Sequence, residues 1–209
     1  MITFFGGGIT VDVPMDIRAA CLATPRLLLR GWREDDLADF HEYARVEGVG
    51  EMAGWLPHAS LEETRRILEG FIRKGNVFAL AERASGKVIG SLGLHRSWAA
   101  EEPAYAALRV KEIGYVLSKE YWGRGLMTEA VRAVLRFGFE ECGLDAVTAA
   151  HYAENTRSRR VIEKCGFAFA RQVEMYIEPL ERTVQERQYI RFANPPAGCD
   201  NGNESAGRQ

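Results

Sequence analysis

Between Glu112 and Glu141 the hydrophobic period switches from strand to helix across a glycine-broken loop, and this switch limits the folds open to the chain. Glu112–Leu117 (EIGYVL) reads as a strand. The loop Tyr121-Trp122-Gly123-Arg124-Gly125-Leu126-Met127-Thr128 follows, and then a helix over Leu126–Glu141 that Gly143 terminates. Met127, Ala130, Val131 and Val134 recur at helical spacing, while Glu129, Arg132, Arg136 and Glu140 form the wet face. Glycines at such a junction let the backbone approach a ligand. The unpaired N–H groups of the first helical turn, at the positive end of the helix dipole, suit a pyrophosphate. On the residues alone, an anion cradle and a plain helix-start turn both remain open. A dinucleotide fingerprint would need a third glycine where Thr128 stands, and the Walker pattern is absent.

Upstream, Arg26–Gly31 reads as a first strand and Asp35–Val46 as a helix carrying Leu37, Phe40 and Tyr43 inward. Ser60-Leu61-Glu62-Glu63 is a capping box, opening a helix to Lys74 with Leu61, Thr64, Ile67, Leu68 and Phe71 on one face. Strands are expected at Val77–Glu82 and Val88–Leu94, around the turn Ala84-Ser85-Gly86-Lys87, and a loop at Ser97–Ala107. Downstream come a short strand at Val147–His151, a helix over Asn155–Cys165 ended by Gly166, and strands at Phe167–Tyr176 and Gln185–Phe192 around a turn at Pro179. This order indicates an α/β (α+β) layered domain with a mixed sheet, and its early hairpins exclude double winding from the first residue.

In the second helix Asn155 is a good N-cap. Ser158, Val161, Ile162 and Cys165 share one face, on which Ser158 is the lone hydroxyl; Arg157, Arg159, Arg160 and Lys164 occupy the others. Those cations are either a solvated face or a match for a polyphosphate.

With 209 residues, 46% hydrophobic and 27% charged, the composition is that of a globular protein. A net charge of −2 gives no global pull toward nucleic acid or an anionic membrane, and no apolar run approaches a membrane span. Cys21, Cys142, Cys165 and Cys199 show no metal-ligand spacing, so no metal site is expected, and they fit reduced thiols in a cytoplasmic setting. Residues 1–25 read as an N-terminal arm, its Gly6-Gly7-Gly8 lacking what a phosphate loop requires, residues 26–193 as the domain, and 194–209 as a disordered tail.

The run from Glu112 to Phe167, with these motifs in this order, resembles the core of the GNAT superfamily of N-acetyltransferases, and is most similar to its ribosomal-protein alanine N-acetyltransferase (RimJ/RimL-like) branch. The likeness extends in weaker form from Arg26 to Phe192. The resemblance implies a central sheet of six to seven strands, splayed to admit coenzyme A, with about four helices. It implies acetyl-CoA as co-substrate and an amine acceptor, with no nucleic-acid or membrane partner; a homodimer is left open. Val116 and Leu117 would pair with the pantetheine arm, a backbone N–H near Val116 would face the oxyanion, and Gly123, Arg124, Gly125, Leu126, Met127 and Thr128 would hold the pyrophosphate. Asn155 would bond the pantetheine arm, with Ser158 near the thioester.

Two positions depart from the family's pattern. Met127 stands where a small residue is usual, and Ile162 where many relatives place a general-acid tyrosine; Ser158 is the candidate substitute. For the base, Glu112 shares a strand face with Gly114 and Val116 that aims it toward the cleft, and His151 has a suitable unperturbed pKa. Glu174 and Tyr176, with Trp55, Trp98 and Tyr105, are candidates for the acceptor pocket. The rival reading is a non-catalytic acyl-CoA-binding module.

Overall fold

A computed structural model describes residues 14–194. The Gly6-Gly7-Gly8 segment and nearly all of the expected tail lie outside the described residues. Among the described residues, eight strands form one sheet in the order β1-β2-β3-β4-β5-β6-β8-β7. They are β1 (Cys21–Ala23), β2 (Leu27–Gly31), β3 (Val77–Glu82), β4 (Val88–His95), β5 (Val110–Leu117), β6 (Ala146–Tyr152), β7 (Ala168–Ile177) and β8 (Arg182–Phe192). Four α-helices cover it: α1 (Leu37–Ala44), α2 (Leu61–Lys74), α3 (Leu126–Glu140) and α4 (Thr156–Lys164).

The expected six to seven strands are thus eight. The addition is β1, which has three residues and too short a pattern to show a period, yet pairs antiparallel with β2. Further differences are local. A 3-10 turn at Glu34–Asp36 precedes α1, and the expected loop at Ser97–Ala107 holds two more, Trp98–Glu101 and Pro103–Tyr105. Leu61, expected on the inward face of α2, is exposed at that helix's first position.

All neighbouring strands pair antiparallel except β5 and β6, which α3 joins as a parallel crossover. Alternation along β3 splits the core into two layers. Phe78 and Leu80 pack with Val131, Val134 and Phe137 of α3 on one face, while Val77, Ala79 and Ala81 pack with Phe40 and Leu68 of α1 and α2 on the other. Ile162, Cys165 and Phe167 seal α4 to the first layer.

The β5–β6 pairing runs from Val110 with Ala146 to Ile113 with Ala149 and then stops, although β5 continues to Leu117 and β6 to Tyr152. Beyond Ile113 the strands diverge, while β5 stays paired with β4 as far as Leu117. Gly90 allows this close course: a Cβ there would stand 2.5 Å from the Val116 carbonyl oxygen.

Candidate active site

The fork between β5 and β6 opens into a cavity of about 500 Å³. Of the residues singled out in sequence, Glu112, Val116, Leu117, Gly123, Gly125, Leu126, Met127, Thr128, His151, Asn155 and Ser158 line it. Arg124 does not; its guanidinium lies over the Tyr121 ring and its carbonyl accepts from Arg26 Nη1.

One end of the cavity combines an uncapped helix start with cationic side chains. Gly125 sits at the N-cap of α3 with φ +78°, a left-handed conformation that favours glycine, and provides no side-chain cap. The first-turn N–H groups therefore lack the partner that Ser60 supplies to α2 through Glu63 N–H. Glu129, in that first turn, is held by Thr24 and Arg26 away from the role of a free anion. Arg157, Arg160 and Lys164 line the same cavity, whereas Arg159 is paired with Glu163. Met127 is buried with the core cluster while also lining the cavity, so its bulk is accommodated in the packing.

Trp122 ties this end to the sheet. Its Nε1 donates to the Leu117 carbonyl at 2.7 Å, and the Arg157 guanidinium lies 4.4 Å from its ring centroid. Asn155 Oδ1 accepts from Ser158 N–H at 3.1 Å, so its side-chain oxygen is engaged as the N-cap of α4.

The strand register settles which backbone groups face the fork. Ser118 N–H donates to the Ile89 carbonyl at 2.8 Å, and Leu94 N–H to that of Asn76 at 2.8 Å. With the alternation of an antiparallel ladder, these bonds direct the N–H and C=O groups of Glu112, Gly114 and Val116 toward β4. Those of Ile113, Tyr115 and Leu117 turn the other way, and beyond Ile113 there is no β6 partner to meet them. Val116 and Leu117 were expected to offer backbone groups here; Leu117 faces the fork, with its carbonyl already taken by Trp122, whereas the Val116 backbone turns to β4 and that of Tyr115 faces the fork in its place.

The other end is carboxylate-lined, by Glu112 and Glu186. Glu112 Oε2 accepts from Thr148 Oγ1 at 3.0 Å. Burial pushes its carboxyl up to about 7; the Thr148 bond opposes the shift and the Glu186 charge adds to it. Val49, Met52, Ala53 and Tyr152 also line the cavity.

His151 reaches the cavity wall with both ring nitrogens engaged, Nδ1 2.7 Å from the Tyr152 carbonyl oxygen and Nε2 3.2 Å from the Tyr189 hydroxyl. Burial lowers its pKa, and the ring stacks on Tyr189. Both nitrogens are thus engaged within the fold, by Tyr152 and Tyr189. Ile162 is fully buried. The proposed acceptor-pocket residues do not line the cavity: Trp55 packs in the α1–α2 layer, Trp98 and Tyr105 pack together, Glu174 bonds Gln185, and Tyr176 is exposed.

Sequence reading missed Tyr115, whose hydroxyl is 2.9 Å from Ser158 Oγ, and it missed Thr148, Tyr152 and Glu186. Tyr115 could have been found from strand alternation, since it lies opposite the Glu112 face. The others depend on register across strands distant in sequence. Among the described residues no His/Cys/Asp/Glu group could hold a metal ion, and no helix is long and apolar enough to cross a membrane.

The N-acetyltransferase YoaA of Bacillus subtilis (strain 168), itself uncharacterized, is 26% identical over 151 residues, covering 70% of this chain and 81% of the relative. A GNAT-family acetyltransferase from Bacillus anthracis superposes with a TM-score of 0.73 at 24% identity, over 82% of this chain and 98% of that one. Mycobacterium smegmatis RimJ in complex with CoA-disulfide has a TM-score of 0.65 at 22% identity, over 80% and 82%. The family described as "Acetyltransferase (GNAT) domain" matches residues 26–168. The chain therefore belongs to the GNAT acetyltransferases and is an acyltransferase whose co-substrate is acetyl-CoA.

Proposed function

We propose that this protein is an N-acetyltransferase of the RimJ/RimL-like branch, moving the acetyl group of acetyl-CoA to a primary amine by direct attack within a ternary complex. The observation that carries this reading is Glu112: a carboxyl raised to about 7 in the same cavity as the uncapped start of α3. The branch assignment is supported by the motif order of the chain and by likeness in fold to RimJ.

In this reading the α3 first turn, with Arg157, Arg160 and Lys164, receives the pyrophosphate. Tyr115 and Leu117 N–H groups serve the pantetheine amide and the oxyanion. The amine enters from the Glu112 end. Primary amines have pKa values of about 8 (α-amino) to 10 (lysine-like), so a proton must leave the nitrogen before or during attack. A carboxylate near 7 is a better acceptor for it than an ordinary one. The C–S bond then breaks with its electron pair on sulfur, and no cysteine intermediate is involved.

The test is acetyl-CoA with a panel of peptide N-termini, polyamines, aminoglycosides and amino acids, read by free thiol and by mass of the acetylated amine. Thiol release coupled to acetyl-amine is expected. Binding of acetyl-CoA with no amine turnover would select the non-catalytic module instead.

A further inference from the structure

We propose that Tyr115 is a positioning residue for departure of the thiol, aiming the Ser158 hydroxyl at the leaving sulfur. The inference rests on the acetyl-transfer reading above and assigns a role to a residue that reading does not use.

Tyr115 and Ser158 come from different elements, β5 and α4, and both line the cavity at the fork. The phenol oxygen is 2.9 Å from Ser158 Oγ and 3.4 Å from the Ser158 carbonyl oxygen. In the resting site either oxygen can donate in the short bond, because the phenol can also donate to the Ser158 carbonyl. When the sulfur takes up charge, Ser158 turns its proton to it and Oγ accepts from the Tyr115 phenol across the same 2.9 Å. Among the described residues, Tyr115 is the side chain that bonds that hydroxyl.

The pair is rigidly mounted. The Tyr115 ring packs against the core, Ile162 and Cys165 bury one side of α4, and Asn155 caps its first turn at Ser158 N–H. Burial also raises the Tyr115 pKa, so the phenol remains a donor through the working pH range.

During transfer the amine nitrogen forms the C–N bond and its proton passes to Glu112. The C–S pair moves to sulfur, and the Ser158 O–H hydrogen-bonds the developing thiolate. Tyr115 keeps its proton throughout. A thiol pKa of about 8.5 lets coenzyme A depart as thiolate and take its proton from water afterwards.

The experiment is a double-mutant cycle on Tyr115→Phe and Ser158→Ala in the full chain, with kcat, KM for acetyl-CoA and calorimetric affinity for acetyl-CoA measured for each. Tyr115→Phe is expected to lower kcat about fivefold to tenfold, with acetyl-CoA affinity changed less than twofold. Ser158→Ala is expected to lower kcat at least as far, and the double variant no further than Ser158→Ala alone. Multiplicative losses, an unchanged kcat in Tyr115→Phe, or an effect confined to acetyl-CoA affinity would overturn the proposal. Ser158→Ala also stands as an independent check if Tyr115→Phe folds poorly, because unaltered turnover in it is equally fatal. Wild-type protein that acetylates no amine would instead bring down the parent reading, and this inference with it.

Discussion

Thr148 donates its hydroxyl to Glu112 Oε2 at 3.0 Å, across the parallel β5–β6 pairing in which the two residues are register partners. The bond is the end of a chain. Ser97 Oγ accepts from Ala99 N–H at 3.0 Å and lies 2.7 Å from Thr148 Oγ1, so its own proton points to Thr148 and that of Thr148 to Glu112. The last paired rung before the fork opens therefore lies beside the proposed proton acceptor.

Thr148→Val keeps the side-chain volume and removes the donor. Because this bond holds the Glu112 pKa down against burial, the pKa should climb further above about 7. The limb of the activity profile that reports Glu112 should move up by about one pH unit. A pH–rate profile of the variant checks this, and an unmoved limb counts against the assignment.

Glu112 also makes stability depend on pH in a definite direction. Its carboxyl titrates near 4.5 when unperturbed and at about 7 in the fold. Below 4.5 both states hold the proton. As pH rises through that interval the unfolded chain ionises first, so the folded state loses stability until the effect levels off above about 7. Glu112→Gln does not titrate, so its stability relative to wild type should grow across that window by roughly 3 kcal/mol at most. Urea unfolding at several pH values reads this; a pH-independent difference would contradict it.

Trp122→Phe removes the indole bond to the Leu117 carbonyl and weakens the stack under Arg157. Acetyl-CoA affinity should drop about fivefold while KM for the amine stays within twofold. Calorimetry and steady-state kinetics separate the two, and equal losses in both would argue against the cofactor end of the cavity.

Gly125→Ala forces a side chain into a left-handed conformation at φ +78°, at a cost of about 1 kcal/mol, although the nearest atom to the added Cβ is 3.7 Å away. Gly86→Ala is the control: it lies in the β3–β4 turn at φ +76°, with nothing within 4 Å of the added Cβ. Both should lose similar stability in denaturant unfolding. Acetyl-CoA affinity should fall only in Gly125→Ala, and a matching loss in the control would refute a local role.

What could be read from sequence was what is written locally. The glycine loop before α3, the Ser60 and Asn155 caps and the Glu112 face each follow from neighbouring residues. What could not be read depends on register. Thr148 meets Glu112 only because β5 and β6 pair in parallel in one alignment, and Val116 loses its expected backbone role because of the phase of the β4–β5 ladder. His151 has suitable chemistry in isolation, but Tyr152 and Tyr189 occupy its ring. The three residues of β1 carry too little pattern to identify a strand.

At the fork of the sheet, Glu112 is the proposed acceptor of the amine's proton. Its most direct test is the pH dependence of kcat/KM for one good amine acceptor, in wild type and Glu112→Gln, each folded and able to bind acetyl-CoA. Wild type should show an ascending limb near 7 from Glu112 and a second from the amine's own ionisation. Glu112→Gln should lose the first limb, keep the second, and fall by about two orders of magnitude or more in rate. A variant that retains the limb near 7, or loses little rate, would contradict the account.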